Sequence, residues 1–218
     1  MDQASIQDRI SRGLGIAARS LGARADAYRP RGPDDPLDTQ NRFLRLPAAF
    51  SAPDGNFRKP SGYGAALWHG VFDSIYTRPG DYLVQGGQTW FVAAQQPLLP
   101  ALCVQTNRVV SFARPAAPGN VGANSYGGVQ LTTATPLLTG WPASVLGFAG
   151  SGTPDANLPG DASVPYWTVL LPGAISLSAG VILRPADLMT DELGRTATVS
   201  AAELTDLGWR LTVKQATT

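Results

Sequence analysis

Apolar residues recur at three- and four-residue steps near the start of the chain, where Ile6, Ile10, Leu14, Ala17 and Leu21 form one stripe and Arg9, Arg12 and Arg19 fall on other faces. That spacing predicts an amphipathic helix over residues 4 to 21. Ser5 with Asp8 three residues on has the form of a capping box, and Gly22 fits the left-handed position just past a helix end. Gly13 and Gly15 each weaken such a helix by about 1 kcal/mol relative to Ala. It therefore needs to bury its stripe against its own β domain or an adjacent subunit.

Beyond residue 41 the period changes from helical to alternating. After a Pro- and Asp-rich loop at 27–41, Phe43 to Leu46 alternates like a strand, and a second loop covers 51–64. Strands are then predicted at 67–72, 82–84, 90–94 and 102–112, divided by Gly- and Pro-containing turns. Residues 115–128, rich in Ala, Pro, Gly and Asn, read as a linker. The theme returns at 129–135, 143–148, 166–171, 181–183, 196–201 and 209–214, interrupted by a long loop at 147–165. The fold class expected is mainly β, with two related small β-barrel or sandwich modules, a single N-terminal α-helix and long irregular loops. The expected division is 1–24 helix, 25–114 first module, 115–128 linker and 129–218 second module.

The two modules carry one signature twice. Arg78, Pro79 and Asp81 match Arg184, Pro185 and Asp187 at an offset of 106 residues, and Gly87, Thr89 and Val92 match Gly194, Thr196 and Val199 at 107. A turn absorbs a one-residue slip on the surface, whereas a slip inside a strand would send every side chain to the wrong face. Asp81 and Asp187 stand where the chain leaves a turn and enters a strand, so their carboxylates can accept backbone N–H bonds. Gly87 and Gly194 supply the positive φ of the reversal, and Val92 and Val199 point into the core. These six residues are structural, and the two modules should share one topology.

Composition narrows the function classes. Of 218 residues 44% are hydrophobic and only 15% charged, with a net charge of +1. This is too apolar for a disordered chain and less charged than most soluble domains. From Tyr82 to Pro154 the only charges are Arg108 and Arg114, so that stretch is either deeply packed or covered by a partner. Fifteen of the seventeen basic residues are Arg, a bias that a GC-rich genome produces without any ligand. The run from Val164 to Leu183 contains Pro165, Pro172, Gly173 and Gly180 and reads as strand–loop–strand rather than a membrane span. The first residues lack the basic-then-apolar order of a signal peptide.

Candidate chemistry is sparse. Cys103, the single cysteine, sits in an apolar Leu-Cys-Val context and has one histidine in the whole chain, His69, to activate it. Gly13-Leu-Gly15 follows no strand and lacks the third glycine of a dinucleotide fingerprint, and no Gly-x-Ser-x-Gly motif occurs. Asp34, Asp35, Asp38 and Asn41, and again Asp155, Asn157 and Asp161, collect oxygen donors but without calcium-loop spacing. They read as turn carboxylates. Trp68, Trp90, Trp141, Trp167 and Trp209 are expected as core anchors. No catalytic, cofactor-binding or metal-binding residue is therefore assigned.

At the duplicated signature, at Trp167-Thr-Val-Leu-Leu-Pro172 and at the closing Trp209-Arg-Leu-Thr-Val-Lys-Gln215, the chain resembles structural proteins of tailed-bacteriophage virions, in particular the head-completion or stopper-like proteins of the head-to-tail connector (neck). The N-terminal helix followed by Tyr28-Arg-Pro-Arg31 resembles how such proteins begin. The resemblance implies a homo-oligomeric ring between portal and tail, with portal or adaptor and tail proteins as partners, DNA nearby in the lumen, no membrane, and a place in the virion after assembly in the host cytoplasm. The activity implied is architectural, without a cofactor. Ile6, Ile10, Leu14, Leu21, Arg108 and Arg114 are the subunit-interface candidates. A tail or baseplate adaptor, a carbohydrate-binding β module with exposed tryptophans, and a hydrolase gathering His69 with distant carboxylates are the other readings.

Overall fold

The computed structural model of the chain describes residues 3–51, 66–115, 134–147 and 166–215. All but the first residue of the expected linker at 115–128, most of the strand expected at 129–135 and most of the loops at 51–64 and 147–165 lie outside the described residues. Helix α1 (Gln3–Leu21) leads into β1 (Ala23–Tyr28), β2 (Arg42–Ser51), β3 (Leu67–Val71), β4 (Tyr82–Gln85), β5 (Gln88–Ala94) and β6 (Ala101–Gln105). There follow β7 (Arg108–Arg114), β8 (Thr135–Gly147), β9 (Tyr166–Leu171), the short helix α2 (Ala174–Ser178), β10 (Leu188–Asp191), β11 (Thr196–Thr205) and β12 (Gly208–Gln215). The fold is mainly β, as the alternation predicts.

Each set of six strands closes on itself, in the orders β1-β2-β3-β6-β5-β4 and β7-β8-β9-β12-β11-β10. Substituting β7 for β1, β8 for β2 and so on turns the first order into the second, and the described pairings are antiparallel throughout. Closure removes the unpaired edges that make open sheets prone to association. The two barrels even share an irregularity: β5 shifts register between Val92 and Ala94, and β11 between Val199 and Ala201.

The slip in the duplicated signature falls in the hairpin turn, as the sequence requires. In the first barrel Gln85 pairs with Gln88 around a two-residue turn with Gly86 at φ +58° and Gly87 at φ +80°. In the second, the Asp191 N–H bonds to the Arg195 carbonyl and the Gly194 N–H to the Asp191 carbonyl, a three-residue loop with Gly194 at φ +75°. Both lengths suit the right-handed twist of a hairpin.

Several sequence expectations are corrected. Residues 102–112 form not one strand but two, because the chain crosses between barrels at Thr106 and Asn107. β7 pairs with β8 and β10, so the module boundary falls there rather than at 114. Hydrophobic periodicity cannot see that crossing, since Val104 and Val110 are buried alike. β1 occupies residues expected as the end of the helix segment and the start of a loop. Its inward residues, Ala25 and Ala27, are fully buried but small, and alanine carries little strand preference. Residues 181–183 are not a strand, and α2 is a second helix. Ser5 lies inside α1 and does not precede it. Gly22 is not left-handed; a Cβ there would sit 2.0 Å from the Ala48 carbonyl oxygen, so close approach of α1 to β2 demands glycine.

Two apolar cores result. Ala25, Ala27, Leu46, Ala48, Phe72, Leu83, Trp90, Val92, Ala101 and Cys103 fill the first barrel. The second core runs without a break from Val110, Phe112, Val169, Leu171, Val199, Leu211 and Val213 to the outward side chains Tyr82, Phe91, Ala93 and Val104 of the first barrel. The barrels are thus joined by an apolar seam. The sparse charge of the stretch after Tyr82 is in good part explained by burial within the chain itself.

Candidate functional site

The duplicated aspartates organise the most repeated polar construction in the molecule. Asp81 and Asp187 are each 1% exposed. In the first barrel the Asp81 carboxylate accepts Arg29 Nε at 2.8 Å and Arg29 Nη2 at 2.7 Å, together with the Arg78 backbone N–H at 2.9 Å. In the second it is Arg114 Nε at 2.8 Å, Arg114 Nη2 at 2.9 Å and the Arg184 N–H at 2.8 Å. The remaining Nη2 capacity goes to a carbonyl in both barrels, that of Tyr76 and that of Ile182. Hydrogen bonding to its aspartate, opposed by partial desolvation and helped by the carboxylate charge, raises the pKa of each guanidinium above its ordinary value.

The local sequence explains the geometry. Arg-Pro-Gly-Asp and Arg-Pro-Ala-Asp each make a turn in which the aspartate N–H reaches back to the arginine carbonyl, at 3.1 Å for Asp81 and 3.2 Å for Asp187. The aspartate carbonyl then accepts the N–H of Val92 or Val199, at 2.9 and 2.8 Å. Each clamp ties the end of β1 or β7 to the turn before β4 or β10, adjoining the pairs Tyr28–Tyr82 and Ala113–Leu188. A planar two-pronged donor on a buried carboxylate fixes direction as well as distance. Removing one partner of such a pair leaves a charge without compensation in a dry site.

Arg108 and Arg114, interface candidates by their isolation in sequence, are both engaged with carboxylates of their own chain. Arg114 is half of a clamp, and Arg108 Nη1 lies 3.2 Å from Glu192 Oε1, whose Oε2 accepts the Val109 N–H at 2.8 Å. Sequence reasoning missed Arg29 and Arg114 as clamp residues because they stand outside the duplicated segment. The available signal was an arginine closing the first strand of each module, at Tyr28-Arg29 and Ala113-Arg114. At the mouth of the second barrel Asp191, 7% exposed, accepts the N–H groups of Leu193 and Arg195 and the Arg195 side chain at 2.7 Å. Burial works to raise its pKa, but these bonds and the Arg195 charge prevail, so it titrates below the ordinary carboxylate range.

The seam between barrels has its own polar contacts. Tyr82 Oη donates to the Pro142 carbonyl at 2.8 Å, and Trp141 Nε1 to the Pro33 carbonyl at 2.8 Å. The Tyr82 and Trp141 rings meet edge to face, 6.2 Å between centroids. Burial first, and then the Asp35 charge, push the Tyr82 phenol well above its usual pKa. Trp141 is fully buried, Trp90 and Trp209 are at most 5% exposed, and Trp68 and Trp167 pack against the two cores. The five do not form an exposed row. Cys103 is buried inside the first barrel, and burial pushes its thiol up to about 12.

The other candidates are placed as follows. His69 lies on β3, paired with Ser51 and Leu102, and Asp73 accepts the Ile75 N–H in a turn. Asp38 caps a 3-10 turn through Gln40 N–H, Asp35 accepts Leu37 N–H and its carbonyl accepts Asn41 Nδ2. These are turn carboxylates. Asp155, Asn157 and Asp161 lie outside the described residues. A groove of about 590 Å³ opens between α1, the 74–76 turn and residues 95–101, lined by Gln7, Asp8, Ser11, Ile75, Gln96 and Leu99. The arrangement as a whole directs its strongest charged groups at backbone and at one another, which holds a shape. Compared with protein-family models, with curated proteins and with solved structures, the chain matches none.

Proposed function

We propose that this chain is a structural protein of a tailed-bacteriophage virion, forming a ring in the head-to-tail connector that joins portal and tail. The observation that carries the reading is the tandem of closed six-stranded barrels with one strand order, each locked at the same corner by an arginine–aspartate clamp. Closed barrels without free edges, joined by a dry aromatic seam, make a stiff block that transmits force and position rather than a cleft that turns over substrate. Contacts between such blocks run through α1 and the connecting loops, and head-to-tail contacts that close generate a ring.

The burial of all but parts of the five tryptophans disfavours a sugar-stacking platform, which needs exposed aromatic faces in line. The experiment is native mass spectrometry with negative-stain electron microscopy of the full chain, alone and mixed with candidate portal and tail proteins. A closed ring that adds to one of them is the expected result. A strict monomer that binds neither overturns the reading.

A further inference from the structure

Both barrels are closed, but β11 runs on past the closure. Its pairing with β10 covers Thr196 to Thr198, and the last bonds on that side join Val199 to Ala186 and Asp187. Beyond the register shift, Ala201 to Thr205 pair with β12 alone among the described residues. The first barrel has no such extension. At the offset of 107 residues Ala94 is the counterpart of Ala201, and β5 ends there; the next side chain, Gln95, turns to Thr77. The projecting part of β11 is thus an addition that neither barrel needs in order to close.

The turn fixes which backbone groups face the open side. Thr205 pairs with Gly208 around Asp206 and Leu207, so the hydrogen-bonded pairs alternate as Thr205–Gly208, Glu203–Arg210 and Ala201–Thr212. The N–H and C=O groups of Ala202 and Leu204 point the other way, and among the described residues they have no hydrogen-bond partner. Side chains alternate too. Ala202 and Leu204 stand beside Leu211 and Trp209 on the apolar face, and Glu203 stands beside Arg210 on the other, with Arg210 Nε 3.0 Å from Glu203 Oε2. Leu204 is 52% exposed. A row of unpaired edge groups beside an exposed leucine is a template for another strand.

We propose that this edge takes up an extended segment of a partner protein as an added antiparallel strand, with a basic residue opposite Glu203 and apolar residues opposite Ala202 and Leu204. Charge selects the partner. For a second copy to use both edge residues, its Leu204 would meet Ala202 and its Ala202 would meet Leu204, which sets Glu203 directly against Glu203. That position is a non-hydrogen-bonded pair, the kind whose side chains stand closest, and like charges there are destabilising. A lysine or arginine in the same place instead completes an alternating row of Arg210, Glu203 and cation. Asp206, exposed at the tip, adds a further negative charge. Apolar residues on either side of the cation extend the sheet face that Trp209 and Leu211 begin. In such an addition main-chain bonds supply affinity and alternate side chains supply selectivity. The contact is separate from the ring reading and does not rest on it.

The test titrates the full, isotope-labelled chain with the synthetic peptide acetyl-Thr-Val-Lys-Val-Thr-amide and follows backbone amide resonances. Saturable shifts confined to residues 201–205 and their β12 neighbours are expected, with the Ala202 and Leu204 amides gaining protection from hydrogen exchange. A peptide with Glu in place of Lys should bind about three- to tenfold more weakly, and Glu203→Lys should reverse that preference. The same peptide N-methylated at both valines keeps every side chain but loses the N–H groups that face the edge, and it should not bind. Leu204→Pro removes the matching donor from the protein, at an edge position where proline spares the pairing with β12, and should abolish binding too. Binding that survives N-methylation, shifts centred elsewhere, or no binding of the lysine peptide overturns the proposal. A dimer of the unliganded chain that Leu204→Pro dissociates makes a second copy the occupant and likewise overturns it. The ring reading stands or falls separately, on assembly with portal or tail proteins.

Discussion

Gly80 and Ala186 occupy the same position in the two barrels, and both hold a positive φ, +95° and +73°. Their N–H groups make the same bond, to the Val92 and Val199 carbonyls at 2.8 Å in each case. The residue types differ because the surroundings differ. A Cβ on Gly80 would stand 2.2 Å from Ala174 Cβ, at the contact between the first barrel and α2, whereas Ala186 is exposed. A left-handed conformation costs a non-glycine residue about 1 kcal/mol. Ala186→Gly should therefore stabilise the chain by up to that amount, and Gly80→Ala should destabilise it by about 1–3 kcal/mol through overpacking on top of backbone strain. Chemical denaturation midpoints decide it; equal effects of one sign would contradict the equivalence.

The clamps allow a matched pair of tests. Arg29→Ala and Arg114→Ala each leave a carboxylate buried without its partner, at an expected cost of about 3 kcal/mol, toward the low end for broken buried pairs because the arginines are partly exposed. Lysine at either position restores the charge but not the two-pronged geometry and should recover only part of the loss. The similarity of the two sites predicts similar losses. A cycle combining each arginine variant with Asp81→Asn or Asp187→Asn measures the coupling directly, and additive effects would show that the clamps hold nothing together.

The clamps also show what the sequence made legible. Asp81 and Asp187, Gly87 and Gly194, and Val92 and Val199 could be paired from residue types alone, because turns impose sharp local requirements on backbone and side chain. Arg29 and Arg114 could not, since their partners are set by which strand lies beside β4 and β10, a long-range fact. The same blindness merged β6 with β7. Alternation reports that a residue faces an apolar interior but not which interior, and Val104 and Val110 face different parts of one continuous core. The stripe on α1 was legible as apolar, while its position relative to the barrel depended on Gly15 and Gly22, whose role appears only in contact.

Acid should weaken the second barrel through Asp191. Its native pKa lies below the ordinary carboxylate value, so the stability it contributes is fully present above the unfolded pKa, near 4. That contribution is lost as pH falls through the native pKa. The slope of stability against pH in this acid window should be shallower in Asp191→Asn than in the wild type. Denaturation curves from neutral pH downward measure it, and superimposable slopes would exclude Asp191 as a contributor.

Thiol reactivity provides a probe of the first barrel. Burial pushes Cys103 up to about 12, so at neutral pH the native thiol is protonated as well as enclosed. An aromatic disulfide reagent should react with it only as fast as the barrel opens, and at the full rate in denaturant. Gly70→Ala should accelerate the native reaction, since a Cβ there would sit 2.7 Å from Cys103 Sγ and 2.5 Å from the Phe72 ring. Rapid labelling of the folded wild type would contradict the enclosed position.

Two tryptophans in unlike surroundings offer the last test. Trp141 Nε1 donates to the Pro33 carbonyl at 2.8 Å across the seam, whereas the buried Nε1 of Trp90 has no hydrogen-bond partner among the described residues. A buried donor without a partner costs about 1–3 kcal/mol, and one with a partner contributes about 1. Replacing either residue with phenylalanine also removes apolar volume, a loss common to both. At position 90 the two effects oppose, because the ring that stacks on Phe50 at 3.9 Å is kept in smaller form while the orphan donor disappears. At position 141 they add, and the Pro33 carbonyl is left without its donor. Trp90→Phe should thus change stability by less than about 1 kcal/mol, and Trp141→Phe should lower it by about 2 kcal/mol or more. If Trp90→Phe proves the more damaging, its indole nitrogen has a partner in solution and the first core is more polar than its lining of Ala25, Leu46 and Val92 indicates.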